Sequence, residues 1–334
     1  MPGLIAHYIC GQAVLPKSET EAKNAIERHL RLYNIGCQGP DIFFYYLTGG
    51  GLRAIGTKMH GQNVSKFLGA MAKGIKEMGQ EERDAAFAYF CGYLTHYCLD
   101  CAAHPYVYYK TGFLQEGQKS ARGRLRFLSY HMRFETALDV MLLNAVAGKK
   151  PRDQRLWQLL AVGKKEAAGV AAFVSGCINA VYGAKTTGKN VLNAMGHMAF
   201  LTRIFQSRRG VRKKMMAAGE HVFLGMSYIS GLIHPQEAND GIDYLNEGKS
   251  PWKRPWNGKA ERNESFLELM ELAADEAAEL IALLWDFLMK DAAKEPFLNK
   301  AGDRSFKTGM AIGTAGPVGE FDLVYSKRQT NTAI

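Results

Sequence analysis

Apolar residues recur along most of the chain at the three- and four-residue spacing of helices that bury one face. In residues 18–34, Ser18 followed three positions later by Glu21 predicts a capped helix start. Similar patterns predict helices over residues 60–77, 81–104, 122–147, 152–182, 188–206, 211–230 and 262–294. The sequence therefore predicts an all-α fold.

Three features refine this pattern. Pro105 disfavours helical geometry at the preceding residue, so we expect the helix over 81–104 to end at His104. The turn-rich stretch before Asp41 predicts a loop that presents this carboxylate. The aromatic run over residues 43–47 has no partner strand nearby, which favours a helix or a core-packed loop.

The chain of 334 residues is long enough to bury a large core. We expect a single helical domain over residues 1–300, with a soft boundary near 148–152 at a Gly-Lys-Lys-Pro stretch. Residues 301–334 are rich in Gly, Thr and polar residues and predict a loosely ordered tail.

The net charge of +10 suits an anionic partner, and it is equally consistent with solubility alone. Phospholipid headgroups, nucleotides and nucleic acid all fit this charge. A basic run between Arg203 and Lys214 could bind phosphate or a membrane surface, but a solvated helix end is the more ordinary interpretation.

The chain start has no basic segment followed by a long apolar run, and no apolar stretch is long enough for a transmembrane helix. We therefore expect a cytoplasmic protein, or a secreted one only if the N-terminus is incomplete. The six cysteines should then be reduced. Cys98 and Cys101 form a C-x-x-C pair inside a helix, where buried core thiols are the favoured interpretation over redox or zinc chemistry.

An ordered series of histidines and acids in the first 135 residues carries the candidate chemistry. The pairs His96/Asp100 and His131/Glu135 are each four residues apart, so each pair lies on one helix face and can close on one ion. Imidazole and carboxylate together suit zinc. Either pair alone is a weak signal; the ordered set is stronger and comprises His7, Asp41, His60, His96, Asp100, His104, His131 and Glu135.

The sequence around this series resembles the zinc-dependent phospholipase C family, which shares an all-helical fold with the S1/P1-type nucleases. The resemblance spans roughly residues 1–145. The matching segments are Ala6-His7-Tyr8, Gly39-Pro40-Asp41-Ile42, Met59-His60, Gly92-Tyr93-Leu94-Thr95-His96, Asp100, His104-Pro105-Tyr106 and His131-x-x-x-Glu135.

The resemblance implies two or three zinc ions. One would be held by Asp41, His60, His96 and Asp100, and a second by His104, His131 and Glu135. A third would be held by His7 and by Asp100, which bridges it to the first. The family completes that third site with an N-terminal Trp, whereas this chain begins Met1-Pro2-Gly3, so we expect its third ion to bind more weakly.

The resemblance also implies the reaction, which is zinc-dependent hydrolysis of a phosphodiester by in-line attack of water, with Asp41 as a general base. We expect cleavage of a phospholipid headgroup at a membrane surface. The alternatives are an S1/P1-type nuclease or nucleotide hydrolase, argued by the positive charge, and a non-catalytic, metal-stabilised protein that binds a lipid surface. A basic stretch between His104 and His131, which includes Lys110, Lys119 and Arg122, could form a substrate lip.

Overall fold

Helices make up nearly all of the regular structure. The computed structural model describes residues 3–49, 51–113, 121–206, 210–224, 229–238, 240–256 and 260–325. The α-helices are α1 Leu4–Val14, α2 Thr20–Arg28, α3 Leu30–Gly36, α4 Gly51–Met59, α5 Val64–Lys76, α6 Gln80–Thr111, α7 Ala121–Ala147, α8 Leu156–Leu160, α9 Lys164–Tyr182, α10 Gly188–Phe205, α11 Val211–Leu224, α12 Phe266–Met289 and α13 Glu295–Ala301.

The remaining elements are short. Four 3₁₀ helices span Leu15–Lys17, Gly39–Tyr45, Pro151–Asp153 and Ile229–Leu232 in the described part of the chain. Two two-residue strands, β1 Trp252–Lys253 and β2 Glu261–Arg262, pair antiparallel. The all-α prediction is confirmed.

The 32-residue helix α6 lies at the centre of the molecule, and α1, α3, α7, α9 and α12 pack around it. Two glycines allow the closest of these contacts. A Cβ on Gly36 would lie 2.2 Å from the carbonyl oxygen of Tyr89, and one on Gly92 would lie 2.2 Å from that of Tyr33. The backbones of α3 and α6 therefore touch directly, which brings the end of α3 against the middle of α6.

Several predicted boundaries are wrong. The helix expected over 18–34 is divided at His29, whose backbone leaves helical geometry. The Ser18 hydroxyl donates back to the carbonyl of Val14 instead of capping α2. His60 lies in the turn between α4 and α5 and does not begin a helix. A capping box does form at α12, where Ser265 and Glu268 exchange hydrogen bonds.

The predicted helix end at His104 is also wrong, because α6 continues through Pro105 to Thr111. Proline leaves the Cys101 carbonyl without its usual partner four residues later. Gly309 packs on that carbonyl, and a Cβ there would approach its oxygen to 2.1 Å. A segment distant in sequence thus covers the point where the helix is locally weakened.

Within the tail predicted over residues 301–334, two described residues are anchored in the core. Phe306 is fully buried among core residues, and Tyr325 is nearly so. The 148–152 stretch comprises the three residues that follow α7 and the beginning of the 3₁₀ helix Pro151–Asp153. Residues 326–334 lie outside the described part of the chain.

Candidate metal centre

Helix α6 presents His96, Asp100 and His104 on one stripe, and all three side chains are fully buried. Because α6 continues past Pro105, this stripe lies within the helix and not at its C-terminus. The negative end of the helix dipole therefore lies beyond the stripe.

The other predicted residues reach this stripe from four directions. His7 comes from α1, and His131 and Glu135 come from α7. Asp41 lies on the 3₁₀ helix Gly39–Tyr45, and His60 lies in the turn after α4. All eight predicted ligands are buried and lie in one region of the molecule.

Among the described residues, three groups bring their ligand atoms within 4.8 Å of one another: Asp41 with His60 and His96, His7 with His96 and Asp100, and His104 with His131 and Glu135.

The first group is organised around Asp41. Its Oδ1 lies 3.0 Å from Nε2 of His60 and 3.9 Å from Nε2 of His96. Asp100 adjoins this group, with its Oδ2 3.1 Å from Nε2 of His96. Asp41, His60, His96 and Asp100 thus lie together, as the resemblance implied for one metal.

Asp100 connects the first group with the second. Its other oxygen, Oδ1, lies 3.4 Å from Nε2 of His7 and 3.5 Å from Nδ1 of His104. The rings of His7 and His96 stack with their centroids 3.9 Å apart. Asp100 is therefore placed to bridge, and His96 also lies within reach of both groups.

The third group lies between α6 and α7. Nε2 of His131 approaches Oε1 of Glu135 to 2.9 Å, one helical turn along α7. The ring of His104 stacks on that of His131 with a centroid separation of 6.2 Å. The i, i+4 pairing expected from the sequence is thus present on both helices.

Four of the histidines share one orientation. The Nδ1 atoms of His60, His96 and His104 donate to the carbonyl oxygens of Gly56, Cys37 and Phe306, at 2.6, 3.1 and 2.7 Å. Nδ1 of His131 donates to the Thr111 hydroxyl at 3.1 Å. These bonds place the proton on Nδ1 and leave the basic Nε2 directed inward, which is how metal-binding histidines are held.

The position of the His96 ring depends on a glycine. Gly39 has φ +49°, and a Cβ there would lie 2.4 Å from the imidazole. Only glycine combines this backbone conformation with such a close approach. The same short segment carries Asp41, so the contact sets both ligands relative to each other.

The electrostatics favour a neutral imidazole at three of the histidines and an ionised carboxylate at Asp100. The pKa of His96 is instead raised, because the effect of burial is outweighed by the nearby Asp100 and Asp41. Burial lowers the pKa of His7 and of His131, and it lowers that of His104 well below its usual value. Burial alone would raise the pKa of Asp100, but His104 and His96 outweigh it and hold that pKa well below its usual range. Neutral imidazole and carboxylate are the forms that bind a cation.

Buried nitrogen and oxygen atoms of these side chains also fit a cation site. Within the described residues, both carboxylate oxygens of Asp100, both ring nitrogens of His7 and Nε2 of His96 and His104 are buried without an aligned hydrogen-bond partner. Buried polar atoms are rarely left unpaired, because each costs about 1–3 kcal/mol. A cation among them would satisfy these atoms together, so the donor set fits zinc.

Other predicted features take structural roles. Lys110 is buried and pairs with Asp322 at 2.8 Å, so it is not part of an exposed substrate lip. Lys119, with Met1 and Pro2, lies outside the described residues. In the basic run, Arg212 donates to the Ile204 carbonyl at the end of α10, while Arg208 and Arg209 are not described. His197 contacts Tyr46, away from the three groups.

The cysteines follow the simpler expectation of buried core thiols, and two tryptophans are buried as well. All six cysteines, each in a described segment, are buried free thiols, and none belongs to the three groups. Trp252 is buried in the main core, and Trp256 is buried in a smaller cluster with Tyr108 and Phe127.

Two parts of this region could not be anticipated from spacing. Phe306 holds His104 through its carbonyl, and no local motif marks it. His234 donates to Asp139 at 2.7 Å. The available signal was that Asp139 follows Glu135 by four residues on α7.

The comparison with known families agrees with this geometry. The sequence model of the family described as zinc dependent phospholipase C matches residues 2–182, which include all eight predicted ligands. The chain belongs to the zinc-dependent phospholipase C family. No curated protein and no solved structure matches the chain significantly.

Membership of the zinc-dependent phospholipase C family explains why so many polar side chains are buried at the centre of a helical core. In the described residues, no helix is both long and apolar enough to cross a membrane.

Proposed function

We propose that the protein is a zinc-dependent phospholipase C that cleaves the headgroup diester of a phospholipid, using two or three zinc ions. The observation that carries this proposal is the convergence of inward-facing Nε2 atoms around Asp100, in a chain of this family. His60, His96, Asp41 and Asp100 would hold one ion, and His104, His131 and Glu135 a second. His7 and Asp100 would hold the third.

Zinc, when bound, supplies positive charge that stabilises phosphoryl oxygens and lowers the pKa of a water molecule from 15.7 to about 7. The protein supplies the placement of these charges. The Nδ1 hydrogen bonds fix each imidazole before substrate arrives, so little reorganisation is needed during the reaction.

Asp41 is the residue that we assign to proton transfer. It is 5% exposed, whereas Asp100 is fully enclosed, and we therefore assign the approach of water and phosphodiester to the side of Asp41. In our proposal a water oxygen forms a bond to phosphorus and its proton passes to a carboxylate oxygen of Asp41. The bond between phosphorus and the glycerol oxygen breaks, and that oxygen takes up a proton from solvent, which gives diacylglycerol and a phosphomonoester.

The slight solvent exposure of three ligands supports an enzyme over a purely structural metal site. His131 and Glu135, at 6% and 7%, are with Asp41 the most exposed of the eight ligands, while His60 is 1% exposed and the other four are fully buried. Structural zinc sites are closed, and catalytic sites keep an open position. The solvent-accessible edge is where we place the substrate phosphate.

The test compares substrates on the zinc-loaded protein. We expect hydrolysis of phosphatidylcholine vesicles and of an aryl phosphocholine ester, with much slower cleavage of single-stranded DNA. Asp41→Asn should lower the rate by about 10²-fold or more, as expected for a lost general base. The exposed Glu77→Gln serves as a control and should retain the wild-type rate. Cleavage of DNA alone would show a nuclease, and no hydrolysis of any diester would contradict an enzymatic role.

A further inference from the structure

Asp139 is a fully buried carboxylate that none of the three candidate metal groups contains. It lies on α7 one turn after Glu135. Its Oδ1 accepts a hydrogen bond from the backbone N–H of Ala6 at 2.8 Å, and its Oδ2 accepts one from Ile5 at 3.0 Å. The carboxylate is thus attached to the beginning of α1.

This attachment replaces a local helix cap. The first backbone N–H groups of a helix have no partner within the helix, and a negative charge there is favourable. The N-cap residue of α1 is Gly3, which offers no side chain. A Cβ on Gly3 would lie 2.2 Å from Oδ2 of Asp139, so the absence of a side chain is what lets the carboxylate approach.

A third bond fixes the carboxylate itself. Nε2 of His234 donates to Oδ2 of Asp139 at 2.7 Å. The segment that carries His234 is held on α7 by Thr136, whose hydroxyl donates to the Gly231 carbonyl at 3.1 Å. Asp139 therefore has little freedom to rotate away from α1.

The contact between Asp139 and α1 bears on the position of His7. His7 follows Ala6 directly, and its Nε2 lies 3.4 Å from Asp100. Helix α7 supplies His131 and Glu135 to the same centre, so Asp139 joins the helix of two candidate ligands to the helix of a third. A shift of α1 along α7 would move His7 away from Asp100.

We propose that Asp139, held by His234, is a positioning residue that sets the His7 imidazole in place for the third zinc ion. This inference rests on the proposed function, in which His7 is a metal ligand. Asp139 touches neither the ion nor the substrate; it acts through the backbone of Ile5 and Ala6.

The test measures zinc affinity by chelator competition in the full-length protein. Asp139→Asn keeps the shape but removes the charge and one acceptor oxygen. We expect about 10- to 100-fold weaker binding of the ion that depends on His7, as found for outer-shell partners of metal ligands, and unchanged binding of the others. His234→Ala should weaken the binding of the same ion to a smaller extent. It also provides a second variant if Asp139→Asn does not fold.

The matched control is Ser265→Ala, which removes the cap of α12, a helix that carries none of the eight predicted ligands. It should lower stability and leave every zinc affinity unchanged. If Asp139→Asn and His234→Ala behave like this control, with lower stability and wild-type zinc affinities, the positioning role is overturned.

A separate measurement distinguishes this failure from failure of the proposed function. If His7→Ala binds as many ions as wild type, the assignment of a third ion to His7 is wrong. The part of our inference that concerns zinc is then also wrong. Amide exchange in zinc-free protein then decides the anchoring alone. Faster exchange at Ile5 and Ala6 in Asp139→Asn supports the anchor, and unchanged exchange overturns it.

Discussion

The carbonyl oxygen of Phe306 accepts a 2.7 Å hydrogen bond from Nδ1 of His104. The backbone N–H of the same residue donates to the carbonyl of His60 at 3.0 Å. Phe306, which follows α13, therefore orients one candidate ligand and holds the backbone of another. The C-terminal segment belongs to the scaffold of the metal centre.

Gly309 tests this role of the C-terminal segment. It has φ +65°, and a Cβ would lie 2.1 Å from the Cys101 carbonyl oxygen. Gly309→Ala should lower the free energy of unfolding by more than about 1 kcal/mol, because strain and a backbone clash add. It should also weaken the zinc bound through His104. Thermal unfolding and chelator competition measure both effects.

Gly313→Ala is the matched control for that variant. Gly313 also has a positive φ, +84°, but a Cβ there meets nothing within 4 Å. Gly313→Ala should lower the free energy of unfolding only by the cost of placing alanine at a positive φ, and it should leave the zinc affinity unchanged. Equal effects of the two substitutions would show that the contact with Cys101 does not matter.

Asp100 is the ligand whose loss should affect zinc most. One of its oxygens approaches His7 and the other approaches His96. His96 also belongs to the group with Asp41 and His60, so Asp100 adjoins two groups of ligands. Asp100→Asn should therefore reduce the affinity for two ions, each by about 10-fold or more, whereas His60→Ala should affect mainly one. Elemental analysis after dialysis measures the loss.

Asp84→Asn provides the control on the same helix. Asp84 pairs with Arg28 at 2.7 Å, far along α6 from the stripe of ligands, and its variant should keep all zinc. Full zinc content and full activity in Asp100→Asn would show that Asp100 does not bridge.

The success and failure of the sequence predictions have distinct physical causes. The i, i+4 pairs His96/Asp100 and His131/Glu135 were predictable because helix geometry alone puts them together. The helix end at His104 was not, because the preference that proline imposes on its neighbour is small beside the burial of α6 on several sides. The roles of Phe306 and Asp139 depend on packing between segments distant in sequence, which no local pattern encodes.

Cys98 and Cys101 should be dispensable for metal binding. Both are buried, and burial raises the pKa of Cys101 to about 12 and that of Cys98 well above its usual value. A thiol that keeps its proton is a poor zinc ligand. Cys98→Ser and Cys101→Ser should bind as much zinc as wild type by elemental analysis; a reduced count would assign the C-x-x-C pair to the metal centre.

Stability should fall as the pH rises above about 9, in part through Cys10. Burial raises its pKa from 9.0 to about 12 in the folded protein. Between these values the unfolded chain releases a proton that the folded chain retains, so rising pH favours unfolding by up to about 1.4 kcal/mol per pH unit. This contribution is fully present below pH 9.

Cys10→Ala isolates this effect. Denaturant unfolding of the variant should show a shallower loss of stability between pH 9 and 12 than wild type, in addition to a constant cost of the smaller side chain. Parallel pH profiles would show that Cys10 does not titrate as its burial implies.

The central claim is that the buried histidines and acids hold zinc. Its most direct test is elemental analysis of the purified protein after zinc supplementation and removal of free metal. Three groups of ligand atoms converge in the described residues, so we predict at least two zinc ions per chain. Their removal should lower the unfolding temperature, since binding to the folded state alone stabilises it. A content below one zinc ion per chain would contradict the account.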